Sequence, residues 1–213
     1  MKRRKLLLAD DHDIVIEGLR RVLDQPDFEI AGVARDGRSL LRITEEVRPD
    51  IIIVDITMPL LNGIEAVRQI RKTNHSVIII FLTMHPDITF ATEALAAGAS
   101  GYVLKNSAVE ELVPAIRETL KGNTYIARAI AESVKHGLST RSNAWRSSSD
   151  KLTTRQREVL QLLAEGHHVK EIAVRLNLSP RTVEFHKYRI MDELGLRTVA
   201  ELSRYAATHG IVG

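Results

Sequence analysis

Residues 51–59 read Ile51-Ile52-Ile53-Val54-Asp55-Ile56-Thr57-Met58-Pro59: four β-branched apolar residues that end on a carboxylate. Branching at Cβ favours extended backbone, and a run without polar alternation has both faces buried, so the stretch reads as an interior strand of a sheet covered on two sides. Outward from it, short apolar runs recur in "KLLLAD" (5–10), "FEIAGVA" (28–34), "VIIIFLT" (77–83) and "GYVLK" (101–105). Between them apolar residues fall at helical spacing, as in Ile14, Ile16, Leu19, Val22 and Leu23, and again in Ile64, Val67 and Ile70. Five strands alternating with five helices predict an α/β fold with a doubly wound, five-stranded parallel sheet.

The polar residues at the strand ends carry the candidate chemistry. Asp10 and Asp11 follow the first strand, Asp55 the third, Thr83 ends the fourth and Lys105 the fifth. In open α/β sheets the loops beyond the carboxyl ends converge on one crevice, so these five residues are expected to meet. Three close carboxylates raise one another's pKa unless a cation lies among them. Hard oxygen donors favour Mg²⁺, which takes one or two protein carboxylates together with phosphate oxygens. Thr83 and Lys105 then suit a phosphoryl group bound beside the metal. Taken singly, each Asp reads as a helix cap and the Thr and Lys as incidental; their coincidence at matching strand ends points to one pocket.

At 213 residues, 44% hydrophobic and 27% charged, the composition is that of a soluble globular protein with one ordinary domain and a smaller one. With no cysteine, disulfides and thiolate metal sites are excluded. The longest apolar run, Val77 to Leu82, falls far short of the roughly 20 residues a membrane helix needs, and "MKRRK" leads into no readable signal or anchor, so no membrane association is expected. Residues 1–122 hold 16 Lys/Arg and 18 Asp/Glu, net −2; residues 151–213 hold 10 and 7, net +3. That split suits a polyanionic partner for the second half, or an ordinary surface.

"LLLADDHDIV", "VDITMPLLNGIEAVRQI", "FLTMH" and "GYVLKNSAVEEL" resemble the motifs of two-component receiver domains of flavodoxin-like fold. The resemblance implies that Asp55 accepts a phosphoryl group from a sensor histidine kinase. It also implies that Asp11 binds Mg²⁺ directly, that Asp10 acts mainly through water and that the Thr57 carbonyl adds a ligand. Thr83 and Tyr102 match the switch pair, with Tyr102 moving inward once the phosphate recruits the Thr83 hydroxyl, and Lys105 matches the phosphate-binding lysine. Asn106 departs from the proline common after that lysine.

Residues 123–149 read as a short helix and a Ser/Arg-rich flexible linker containing Trp145. Residues 150–213 read as four helices. Thr153-x-x-Gln156 and Thr198-x-x-Glu201 fit capping boxes, Gly166 and Gly195 fit helix stops, and Ser179-Pro180 fits an N-cap with proline at the first helical position. "LTTRQREVLQLLAEG" and "KEIAVRLNLSPRTVEFH" resemble the helix-turn-helix of the LuxR/FixJ/NarL transcription factors. On a helix over 181–194, Val183, Ile190 and Leu194 share one side with Lys187 at its edge, whereas Arg181, Glu184, Phe185, Tyr188 and Asp192 share the other. The second side would face the major groove of double-stranded DNA, with Glu184 and Phe185 reading bases; Lys170, Thr182, Lys187 and Arg189 suit phosphates. His168, Val169 and Glu193 replace residues that usually help phosphate contact, so a single domain is expected to bind weakly and to act as a homodimer, with Leu202 and Tyr205 as candidate dimer contacts.

The combined expectation is a response regulator comprising a receiver (1–122), a helix and linker (123–149) and a four-helix DNA-binding domain (150–213). Phosphorylation of Asp55 would control DNA binding in the cytoplasm, without turnover of a separate substrate. A regulator gated by a ligand or a protein, without phosphorylation, is the alternative; it predicts loss of a pocket residue, and none is lost. A phosphatase with Asp55 as nucleophile lacks the second aspartate expected at Thr57 and leaves the basic helical tail unexplained.

Overall fold

Ile51, Ile52, Ile53 and Val54 are at most 1% exposed, because β3 (Ile51–Val54) runs between β1 (Arg4–Ala9) and β4 (Ile78–Thr83) with helices over both faces of the sheet. The computed structural model describes residues 3–139 and 152–212. The chain folds as two units, the first built on this sheet and the second on four helices.

In the first unit β2 (Phe28–Ala34) and β5 (Gly101–Leu104) complete the expected parallel sheet, ordered β2-β1-β3-β4-β5. The helices are α1 (Asp13–Val22), α2 (Gly37–Val47), α3 (Gly63–Thr73), α4 (Ile88–Ala96) and α5 (Ala108–Leu120). Local chemistry sets their starts: Asp36 accepts from the Arg38 and Ser39 amides at α2, Asn62 from Glu65 at α3, and Asp87 from Thr89 at α4. The strand order reverses direction between β1 and β3, so the crevice of a doubly wound sheet opens beside the carboxyl ends of those two strands.

The expectation of five strands is corrected by a sixth. Tyr125–Ile126 form β6, parallel to β5, with the Tyr125 amide donating to the Ser100 carbonyl and the Ala127 amide to the Tyr102 carbonyl. Two residues carry no readable periodicity; this strand is recruited by backbone groups that the β5 edge would otherwise leave unpaired. α6 (Arg128–Ser139) follows, packing against α4 and burying Ile130 and Val134 one helical turn apart. Glu111, on α5, holds the junction: its carboxylate accepts from the Tyr125 hydroxyl at 2.9 Å and the Arg128 amide at 3.2 Å. The expected Ser/Arg-rich linker, with Trp145, lies outside the described residues.

The second unit comprises α7 (Thr154–Ala164), α8 (Val169–Leu176), α9 (Pro180–Leu194) and α10 (Val199–Thr208). Both capping boxes form, the Ser179 hydroxyl accepts from the Thr182 amide, and Gly195 ends α9 at φ +67°. Leu160, Leu162, Ile172, Val183, Ile190 and Leu202, each 0% exposed, form the core. Leu202 is therefore a core residue and not a dimer contact; it shares a helical stripe with Ala206, and the core claims that stripe. No described helix is long and apolar enough to cross a membrane.

Candidate functional site

The register of β1 against β3 sets Ala9 beside Val54, so Asp10 and Asp55 leave adjacent strands side by side. Both are nearly buried, at 2% and 4% exposure. Lys105, just beyond β5, reaches across with its Nζ 2.7 Å from Asp10 Oδ2 and 2.7 Å from Asp55 Oδ2. Burial raises the Asp55 pKa and neighbouring Asp10 pushes the same way, while Lys105 and the Ile56 amide, which donates to Oδ1 at 2.7 Å, pull against it. For Lys105, burial opposes the charge, but hydrogen bonds to the two carboxylates outweigh it and the pKa rises, so the group stays an ammonium.

Two participants had no place in the sequence reading. His12 Nδ1 lies 2.9 Å from Asp11 Oδ1 and 3.1 Å from Asp10 Oδ1. Its signal was adjacency to the Asp pair. Gly63 opens α3 against the Asp55 backbone, where a Cβ would lie 2.0 Å from the Asp55 carbonyl oxygen. Its signal was the Asn-Gly pair closing the loop after β3. Ligand atoms of Asp10, Asp11, His12 and Asp55 lie within 4.8 Å of one another, and the three carboxylates supply the hard oxygen set that suits Mg²⁺.

Thr57, Thr83 and Tyr102 meet at His85. The Thr57 hydroxyl is 3.0 Å from His85 Nε2, the Thr83 hydroxyl accepts from the His85 amide at 3.3 Å, and the Tyr102 hydroxyl donates to the His85 carbonyl at 2.7 Å. The Tyr102 ring is fully buried in this structure, the inward position that the expected switch requires. A carbonyl partner for its hydroxyl makes that burial affordable, and burial, aided by Asp87 and Asp55, raises the phenol pKa so that it remains a donor.

On α9, Val183 and Ile190 face the core while Phe185 and Tyr188 stand 61% and 63% exposed. Arg181 and Arg189 are exposed beside them, as is Lys170 on α8. Thr182 is tied into the helix start, its hydroxyl 2.8 Å from Ser179 Oγ. Lys187, whose side chain is only 16% exposed, pairs with Glu184 at 2.6 Å and lies 5.0 Å from the centroid of the Tyr188 ring. The expected phosphate cation and the expected base reader thus contact each other.

Residues 6–117 match the family described as response regulator receiver domain, and residues 150–206 the family described as bacterial regulatory proteins, luxR family. The chain belongs to the NarL/FixJ response regulators. This response regulator is 34% identical over 209 residues to the response regulator GacA of Pseudomonas aeruginosa, covering 98% of this chain and 97% of that one. Among solved structures, the RcsB response regulator of Salmonella typhimurium is 30% identical with a TM-score of 0.66, covering 98% of this chain and 99% of that one. RcsB in a DNA complex is 28% identical with a TM-score of 0.60, covering 97% and 99%. The response regulator thus combines a receiver with a LuxR-type DNA-binding domain.

Proposed function

We propose that Asp55 takes a phosphoryl group from a sensor histidine kinase and that this controls sequence-specific DNA binding by paired copies of the chain in the cytoplasm. The receiver is taken as residues 1–122 and the DNA-binding domain as 150–213. The observation that carries the reading is the Lys105 ammonium held at 2.7 Å from both Asp10 and Asp55. It lies where charge on a phosphoryl group would need to be offset, beside a carboxylate kept nucleophilic only while ionised.

Asp10, Asp11, Asp55 and the Thr57 carbonyl would hold Mg²⁺, whose chemistry supplies further charge neutralisation on the phosphoryl oxygens. Asp55 Oδ attacks phosphorus in line, forming an acyl phosphate as the bond to the donor imidazole breaks. Lys105 orients the transferred oxygens and the Thr83 hydroxyl donates to one of them. Water later regenerates the carboxylate, so the group is a timed switch. On α9, Arg181, Glu184, Phe185 and Tyr188 would meet base edges, and Lys170, Thr182, Lys187 and Arg189 the phosphates.

The test is covalent labelling. With Mg²⁺ and a small phosphodonor, the wild-type chain gains one phosphate mass; Asp55→Asn, which keeps the shape and removes the nucleophile, gains none. Equal labelling of both would end the assignment.

A further inference from the structure

β6 and α6 are not used by phosphoryl transfer, yet Tyr102 joins them directly to the pocket. Tyr102 donates its hydroxyl to the His85 carbonyl, and its own main-chain carbonyl accepts from Ala127 at 2.7 Å, in the register that pairs it with Ile126. His85 in turn touches the Thr83 and Thr57 hydroxyls, and its ring lies 4.5 Å from Phe90 on α4, the helix that α6 covers. The far end is latched independently. Glu111, 8% exposed, holds both the Tyr125 hydroxyl and the Arg128 amide, and Ala127, Ile130 and Val134 are buried where α6 sits down.

We infer that the segment Tyr125 to Val134 is an allosteric annex of the receiver, seated when the Tyr102 ring is inside and tightened when Asp55 carries a phosphoryl group. The direction follows from the state observed, in which the ring is buried, β6 is paired and α6 is seated together. A phosphate that draws on the Thr83 hydroxyl acts on the same His85 loop that the ring closes, so it favours this arrangement over one with the ring outside. Coupling is reciprocal: whatever phosphate does for the annex, the annex does for phosphate affinity. Tyr125 and Glu111 are then positioning residues that act through β6 and β5 on a site they do not touch.

This inference rests on Asp55 as the phosphoacceptor, and the experiment separates the two. Full-length chain is titrated with beryllofluoride, an acyl-phosphate mimic, in Mg²⁺, while amide hydrogen exchange is followed across 125–134. Binding by wild type and none by Asp55→Asn secures the acceptor; equal binding by both would overturn that reading and this inference with it. Given the first result, the mimic should slow exchange across the annex roughly fivefold, and Tyr125→Phe and Glu111→Gln should each weaken mimic affinity by about the same factor while a thermal melt verifies folding. Exchange unchanged or faster in the wild type, which needs no variant to fold, overturns the coupling and leaves the acceptor standing. Wild-type mimic affinity in both folded variants does the same.

Discussion

Asp55 and its neighbours show how much one residue's surroundings decide. The carboxylate is buried and its pKa is raised, chiefly by that burial, even with Lys105 2.7 Å away. A raised carboxylate binds its proton more readily folded than unfolded, so its own contribution favours the fold below its unfolded value and is lost as pH rises through the folded one. Nucleophilicity runs the opposite way. Without Mg²⁺, the Asp55 carboxyl should titrate above the range of an ordinary aspartate when followed by carboxyl NMR, and bound Mg²⁺ should pull it back down; titration in the ordinary range without the metal would contradict the burial argument. Gly63 is constrained by space alone: a Cβ 2.0 Å from the Asp55 carbonyl must displace backbone. Gly63→Ala should cost about 1–3 kcal/mol in a denaturant melt and slow labelling, because the displaced backbone carries the nucleophile. Thr57 and His85, bridged at 3.0 Å beside the pocket, should set how fast water reaches the acyl phosphate. Replacing both with alanine should change its decay rate and not its formation, as read by mass spectrometry over time.

At the scale of elements, the first five strands were legible because burial on both faces writes continuous apolar runs, and the carboxyl-end residues were legible because topology gathers them whatever their rotamers. β6 was not, since two residues have no period and their pairing comes from main-chain groups common to every sequence. Leu202 and Tyr205 were ambiguous for another reason: an apolar stripe on one helix looks the same whether it meets its own core or another copy, and only the packed unit shows Leu202 at 0% exposure. Rotamers likewise decide Glu184. A carboxylate at helical spacing from Arg181, Lys187 and Tyr188 has three choices, and it pairs with Lys187. That pairing sharpens the expectation for α9. Glu184→Gln replaces a charged, acceptor-only carboxylate with a neutral amide that also donates, and should relax preference for cytosine at one position of each half-site by about 1–3 kcal/mol, measured by selection from random DNA. Lys187→Ala leaves Glu184 uncompensated near phosphates and should weaken all sequences alike and flatten the salt dependence. The same selected motif from Glu184→Gln and wild type would remove Glu184 from the base-reading set.

Across the whole molecule, a net −2 receiver and a net +3 tail suit the proposed division between a metal-assisted phosphoacceptor and a polyanion reader. Glu184, Asp192 and Glu193 on α9 would oppose counterion release, so one copy is expected to hold DNA weakly and two copies on half-sites about one helical turn apart to add their contacts. Phosphoryl transfer to Asp55 is proposed to control this binding. The most direct measurement is the affinity of the full-length chain for paired half-sites, with and without a small phosphodonor in Mg²⁺, for wild type and Asp55→Asn. The donor should tighten wild-type binding by roughly tenfold and leave Asp55→Asn unchanged; the same response in both proteins, or none in wild type that has been fully labelled, would rule out control through Asp55.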